Sequence, residues 1–282
     1  MCALDLVALR PLLLAALRED VGPGDRTTGL LVPPGARGVA RIQAGEPGVL
    51  AGIGVALEVL RLSCGEQSVV RSSREDGVEV SPGDGVGEVE GPARGLLSGE
   101  RTALNFLMRM SGIATLTARF VQAVAGTGAS ILDTRKTAPG LRALDKAAVR
   151  MGGGHNHRFA LYDAVLVKEN HLAFHTDLAR ALRDRPEGVA LTVEAESVEE
   201  FRIAMEGGAD VVLLDGLGPE DVARARALRG GRERPALEVS GGITLRNVRA
   251  YAEAGAERIS VGALTHSAPA LDLSMRIAAT GA

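Results

Sequence analysis

Residues 130–137 read Ser130-Ile131-Leu132-Asp133-Thr134-Arg135-Lys136-Thr137. A short apolar run stops at an acid, and two permanent cations follow at once. A run this short, bounded by polar residues, reads as a buried β-strand with functional groups at its C-terminal end. The construction recurs at residues 164–167, 189–193, 210–214, 236–239 and 258–261, with helical patterns filling the gaps. Lys168, Glu194 and Asp215 follow the second, third and fourth runs, while Ser240-Gly241-Gly242 and Gly262 follow the last two. Alternation of strand and helix implies a parallel sheet. An open sheet gathers its ligands at one crevice, whereas a barrel draws chemistry from the ends of many successive strands. The spread of polar groups over six strand ends therefore predicts a TIM-like α/β barrel. Six or seven strands are expected, because the region holds only about 150 residues against roughly 200 or more for eight.

Outward from this region the pattern changes near Ser98. Ser98-Gly99-Glu100-Arg101 is an imperfect capping box that opens a long helical pattern reaching about Val124. Residues 21–99 are rich in Gly and Pro, with alternating stretches at 39–43 and 77–80, a helix around 54–62 and a turn at 82–85. They read as a small twisted β domain, and residues 4–17 as an amphipathic helix.

Composition narrows the class. Hydrophobic residues make up 46% of the 282 and aromatics 2%, so the core must be Ala, Val, Leu and Ile, which suits covered parallel strands. A net charge of -3, from 32 Lys and Arg against 35 Asp and Glu, provides no global field for nucleic acid. Residues 4–17 are too short to span a bilayer and lack a signal-type cleavage pattern, so no membrane association is expected. Two cysteines, Cys2 and Cys64, are too few for a disulfide framework or a cysteine zinc cluster. A reducing cytoplasm is the expected location.

Anion binding is then a local matter. Ser240-Gly241-Gly242-Ile243 and Val261-Gly262-Ala263 follow the last two strands, where barrels bind phosphate through backbone N–H groups. Ordinary turn chemistry explains most isolated Gly pairs, but two such loops on successive strands favour phosphate. Arg135, Lys136, Arg158 and Lys168, with His157, follow apolar strands and should face the barrel mouth, not the solvated outer ring. Such a cluster suits a multiply charged anion. In Gly152-Gly153-Gly154-His155-Asn156-His157-Arg158 the histidines suggest a metal, with His171 and His175 following. However, no His-Glu-x-x-His helix or cysteine partner accompanies them, and the triple glycine reads instead as a flexible loop against substrate. Glu194 and Asp215 end successive strands opposite the phosphate loops, suggesting a divalent cation held partly through substrate oxygens. An ion-paired structural role is the alternative, and Glu196, two positions on, competes with Glu194.

Several ordered motifs together resemble one family. They are Glu19-Asp20-Val21-Gly22-Pro23-Gly24-Asp25, Ser98-Gly99-Glu100-Arg101-Thr102-Ala103-Leu104-Asn105, Met110-Ser111-Gly112-Ile113-Ala114-Thr115, residues 133–137 and 152–158, Lys168-Glu169-Asn170-His171, and Val261-Gly262-Ala263-Leu264-Thr265-His266. The chain resembles the quinolinate phosphoribosyltransferases, the carboxylating nicotinate-nucleotide pyrophosphorylases, from about Leu17 to His266. The resemblance implies an N-terminal α/β sandwich domain (1–109) rejoined by a C-terminal helix (268–282), and a barrel domain (110–267). It also implies a homodimer, with higher assembly open, in which Arg101 enters the partner's site. By the same resemblance Arg135, Arg158, His157 and Lys168 hold the two quinolinate carboxylates, and Lys136 lies near phosphoribosyl pyrophosphate. Lys136, Glu194 and Asp215 are the implied catalytic set. Glu194 and Asp215 serve the ribose and Mg2+, partly through substrate and water, while Ser240, Gly241, Gly262 and Ala263 bind the 5-phosphate.

The chain departs from the common pattern at Gly216, where Asn is frequent, at Glu169, where Asp is common, and at Ala195-Glu196, where a Val-Asp pair is frequent. None of these removes a charged ligand. Two other readings compete. A barrel lyase or isomerase would use Lys168 as a Schiff-base lysine, and a repurposed relative of the molybdenum-transport-associated type would have altered substrate or no activity.

Overall fold

The computed structural model describes residues 4–172, 174 and 188–280; Cys2 and His175 lie outside them. In chain order the first elements are α1 (Leu6–Val21), α2 (Arg26–Leu31), β1 (Arg37–Ala44), β2 (Gly48–Val49), α3 (Ile53–Cys64), β3 (Val69–Ser73), β4 (Glu79–Val80), β5 (Gly85–Pro92) and α4 (Ala93–Ala123). There follow β6 (Ser130–Leu132), α5 (Arg142–Met151), β7 (Val165–Val167), α6 (Glu169–Leu172), β8 (Leu191–Ala195), α7 (Val198–Glu206), β9 (Val211–Asp215), α8 (Pro219–Arg229) and β10 (Ala236–Ser240). The last are α9 (Val248–Ala254), β11 (Arg258–Ser260), α10 (Ala263–His266) and β12 (Leu273–Ala279). The chain forms two compact units. One joins Met1–Leu116, Ala138–Gly153 and Ala268–Ala282, and the other joins Thr117–Thr137 and Gly154–Ser267.

The first unit is built on an antiparallel sheet of order β12-β1-β5-β3. Ala40, Ile42 and Ala44 of β1 are buried, as are Val86 and Val89 of β5 and Val55, Val59 and Leu60 of α3. The closing segment is a strand, not the expected helix: β12 pairs antiparallel with β1, placing Met275 opposite Ile42 and Leu273 opposite Ala44. Its residues alternate, Leu273 and Met275 buried and Ser274 and Arg276 exposed, which is the period of a strand with one covered face.

Helix α4 starts at Ala93, five residues ahead of the expected capping box. Ser98 therefore lies in the second turn of the helix, and its hydroxyl donates to Asp25 Oδ2 at 3.1 Å instead of capping. Asp25 itself caps α2, accepting from the Thr28 N–H at 2.9 Å and the Thr28 hydroxyl at 2.6 Å. These hydrogen bonds, the Thr28 hydroxyl foremost, hold its carboxyl below the ordinary value. Gly95 and Gly99 sit where α4 crosses the end of α3: a Cβ on Gly95 would lie 2.7 Å from Cys64 Cα, and one on Gly99 2.9 Å from Ser63 Cβ. Further along α4, Ser111 and Thr115 project from one face at i and i+4. The Ser111 hydroxyl accepts from the Ala51 N–H at 3.0 Å and that of Thr115 from the Val49 N–H at 2.8 Å. The motif at residues 110–115 is thus a packing seam of the first unit. Gly112 belongs to it because a Cβ there would overlap the Pro269 carbonyl.

In the second unit six strands are parallel, in the order β6-β11-β10-β9-β8-β7. The strands β7 to β11 pair in sequence order, and the last, β11, pairs with the first, β6, through Ile259 opposite Ile131. Pairing of last with first is the connectivity of a barrel, because an open doubly wound sheet reverses its order instead. On the other side of β6, His155 forms a parallel bridge to Leu132, with its N–H on the Ile131 carbonyl at 2.8 Å and its carbonyl accepting from the Asp133 N–H at 3.1 Å. This short extended segment is the seventh position. Within the triple glycine, Gly152 caps the C-terminus of α5 and Gly153 has φ +85°. Among the described residues no helix is long and apolar enough to cross a membrane.

Two stability measurements follow. Gly112→Ala should lose about 2 kcal/mol or more in a urea titration, since backbone must move to admit the methyl group. Glu58 is buried and accepts from Arg61 at 2.7 Å and Arg10 at 2.9 Å, and the Arg61 bond above all lowers its pKa against the opposing effect of burial. A depressed carboxyl contributes stability that is full above its unfolded value of about 4.5 and is lost as pH falls through the folded value. Glu58→Gln should therefore lower the urea midpoint at neutral pH, and the gap from the parent should close below about pH 4.5.

Candidate active site

Register explains which side chains share the inner face of the sheet. Glu194 stands beside Leu213, Leu213 beside Glu238, Asp215 beside Ser240, and Ser260 beside Leu132. Because side chains alternate along a strand, these residues project to one face. Val193, Val212, Leu214, Leu237, Val239 and Ile259 project to the other and are buried. The inner face opens at the C-terminal strand ends into a cavity of about 280 Å3. Its lining includes Arg135, Lys136, His157, Arg158, Lys168, Glu194, Asp215 and Ser240 from the expected set, with Thr134 and Ser260 in addition.

The loop after β6 is held from below by Asp133. Its fully buried carboxylate accepts from the His157 N–H at 3.0 Å and from the Asn156 amide, tying the β6 end to residues 156–157. Lys136 is held by its backbone: its N–H bonds to Thr134 Oγ1 at 3.0 Å, and its carbonyl accepts from the buried Thr265 hydroxyl at 2.8 Å. A Cβ on Gly262 would come 3.1 Å from Lys136 Cδ and 3.2 Å from His266 Nε2, so the glycine lets the β11 end approach Lys136.

The cations differ in how they are balanced. Lys168 Nζ pairs with Glu194, a carboxylate with a nearly buried side chain. Arg135 has a buried Nε with no hydrogen-bond partner. Burial lowers the Arg158 pKa, the nearby Arg135 charge lowers it further, and Asp163 opposes both. Two guanidinium groups that repel each other, one with a buried unmet donor, have the chemistry to take up an anion.

Asp215 ends β9 beside a tight turn. A Cβ on Gly241, which has φ +89°, would sit 2.9 Å from the Gly216 N and 3.1 Å from Asp215 Oδ1. Gly216 itself has φ +69°, the left-handed region that Gly and Asn both tolerate, which accounts for Gly where Asn is frequent. Gly241, Gly262 and Ala263 lie just outside the cavity lining, at the ends of β10 and β11. Glu196 falls beyond the end of β8, is exposed, and takes no part in the lining. Arg101 lies on α4 in the first unit with its side chain exposed. Among the described residues no group of three or more His, Cys, Asp or Glu could hold a metal.

Glu238 was not among the residues read from the sequence. It is fully buried mid-strand, where an acid between Leu237 and Val239 looks like an ordinary alternation. Its Oε1 faces His157 Nε2 at 3.2 Å and accepts from the Ser260 hydroxyl at 2.5 Å, while Oε2 accepts from Arg258 at 2.8 Å. Burial pushes its pKa up, but His157, Arg258 and Ser260 outweigh burial and hold it below the ordinary value.

Residues 25–111 match the model of the quinolinate phosphoribosyl transferase N-terminal domain, and residues 113–276 match that of its C-terminal domain. A probable nicotinate-nucleotide pyrophosphorylase (carboxylating) of Methanothermobacter thermautotrophicus is 42% identical, over 93% of this chain and 96% of its own. The nicotinate-nucleotide pyrophosphorylase (carboxylating) of Mycobacterium leprae is likewise 42% identical, over 95% and 96%. The crystal structure of NadC from Streptococcus pyogenes superposes with a TM-score of 0.93 at 36% identity, over 100% of both chains. With both domains matched in order and a cation-lined cavity at the strand ends of the second, the chain belongs to the quinolinate phosphoribosyltransferase family.

Proposed function

We propose that this chain transfers the phosphoribosyl group of phosphoribosyl pyrophosphate to quinolinate with decarboxylation, giving nicotinate mononucleotide, pyrophosphate and CO2 in de novo NAD synthesis. The observation that carries the reading is the buried Arg135 Nε without a partner, set beside Arg158 in a cavity also lined by Lys168 and Lys136. A dicarboxylate supplies the acceptors this cluster wants, and Arg135, Arg158 and Lys168, with His157 beside them, form its subsite.

The quinolinate ring nitrogen attacks the anomeric carbon as the bond to pyrophosphate breaks and its electron pair leaves with that group. Glu194 and Asp215 face the ribose and stabilise the positive charge developing on it, and Lys136 neutralises charge on the phosphoribosyl donor. The N-ribosylated ring carries a positive charge, so loss of the adjacent carboxylate as CO2 leaves an electron pair that this charge stabilises. A proton from solvent completes the product, and no electron-sink cofactor is required. Ser240, Gly241, Gly262 and Ala263 take the 5-phosphate.

Mg2+ fits this donor set. Glu194 and Asp215 offer hard oxygens in the same cavity, and two carboxylates leave the remaining positions to substrate oxygens and water. Held by Glu194 and Asp215, such an ion would supply positive charge against that of the departing pyrophosphate. We further propose a cytoplasmic homodimer in which the exposed Arg101 of each protomer completes the partner's cavity.

The test is direct: quinolinate, phosphoribosyl pyrophosphate and Mg2+ should yield nicotinate mononucleotide and pyrophosphate, and absence of product at saturating substrate overturns the assignment. In the same assay Arg135→Ala should raise the quinolinate KM on the order of a hundredfold, with the phosphoribosyl pyrophosphate KM changed less than about threefold. An unchanged quinolinate KM would remove Arg135 from the subsite.

A further inference from the structure

We propose that the buried Glu238 is a positioning residue of the dicarboxylate subsite, holding the His157 ring in one orientation so that His157 fixes Arg158 and does not itself donate to substrate. The inference rests on the function proposed above. His157 lines the cavity, yet both its ring nitrogens face protein groups. Nδ1 accepts from the Arg158 N–H at 2.7 Å, and Nε2 faces Glu238 Oε1 at 3.2 Å. A nitrogen that accepts an N–H carries no proton, so the ring proton lies on Nε2, directed at the carboxylate. The same carboxylate is anchored by Arg258 and Ser260 on the adjacent strand, which fixes the position of its Oε1. The ring is thus clamped between a rigid strand and the loop backbone.

The consequence falls on Arg158. Its N–H is set by His157, its Nη1 donates to the Ala164 carbonyl at 3.2 Å, and the His157 N–H is set by Asp133. Glu238 therefore stands at the base of a chain that ends at a guanidinium facing Arg135. Releasing the ring loosens Arg158 and leaves the phosphate-binding side, built from residues 240–241 and 262–263, in place. This asymmetry separates positioning from general structural support. A residue that only stabilised the barrel would affect both substrates through the folded fraction.

Two measurements decide it. In steady-state kinetics Glu238→Met, which keeps the volume and removes both acceptors, should raise the quinolinate KM about tenfold while the phosphoribosyl pyrophosphate KM stays within about twofold. Glu238→Gln, whose amide oxygen can still accept from the ring, should recover most of that loss. Equal changes in both KM values, or none in either, overturn the proposal. The second measurement needs neither activity nor a variant that might fail to fold at this position. Nitrogen NMR of the parent protein, with the His157 signal identified by its loss in His157→Asn, should show a neutral ring protonated at Nε2. A ring protonated at Nδ1, or a doubly protonated ring once quinolinate is added, overturns the proposal. If the parent makes no nicotinate mononucleotide the enzymatic reading fails by itself, and the ring state still tests the clamp.

Discussion

The pairing of β11 with β6 is the constraint on which the second unit depends. Once the last strand bonds to the first, register dictates that alternate residues of six strands share one face, and the C-terminal ends become neighbours although they are scattered over more than a hundred residues. Apolar side chains on the opposite face fix that register, since a slip of one residue would drive Val212, Leu214 and Val239 into the polar mouth. The hydrophobic layer is thus what aims the acids and cations.

Within the mouth, charge is arranged by commitment. Asp133 is occupied by amides, Glu238 by His157, Ser260 and Arg258, and Glu194 by Lys168. Asp133 and Glu238 are thus committed to holding the loops and strands together, while Glu194, paired with Lys168, lines the cavity with Arg135, Arg158 and Lys136. In a partly dehydrated pocket, donors held in this way need little reorganisation when an anion arrives, and most of their electrostatic effect is available for binding and for the charges that develop in reaction. Lys168 differs, because its ammonium is already paired with the Glu194 carboxylate.

Strand ends were legible in the sequence because a short apolar run closed by a charged residue carries two signals at once. All six runs are strands, and the groups closing them line or adjoin one cavity. The seventh position was hidden: His155 makes a single bridge and has no apolar run around it. Glu238 was hidden for a different reason, since an acid in alternation with Leu237 and Val239 has the pattern of a solvent-facing residue, and only closure of the sheet turns that face inward. The closing helix was expected from the resemblance alone; Leu273, Met275 and Ile277 alternate with polar residues, and with β1 as a partner that period of two forms a strand. Ser98 shows the converse error. Its capping chemistry is real as a local preference, but its hydroxyl is used by Asp25 in a tertiary contact that the local pattern does not contain.

The glycines divide along the same line between local and tertiary causes. Gly216 and Gly153 carry positive φ, and Asn could serve at Gly216 at modest cost; Gly241 combines positive φ with a close approach to Gly216 N. Gly95, Gly99 and Gly112 are required by what lies opposite them, so no residue with a side chain serves without movement of a neighbour. Residues 110–115 include one glycine of the second kind, Gly112, beside two hydroxyls, Ser111 and Thr115, that accept from backbone N–H groups. Close backbone approach fixes the glycine and hydrogen bonding fixes the hydroxyls, so packing of the first unit accounts for these positions, whereas the charged side chains gather in the cavity at the strand ends.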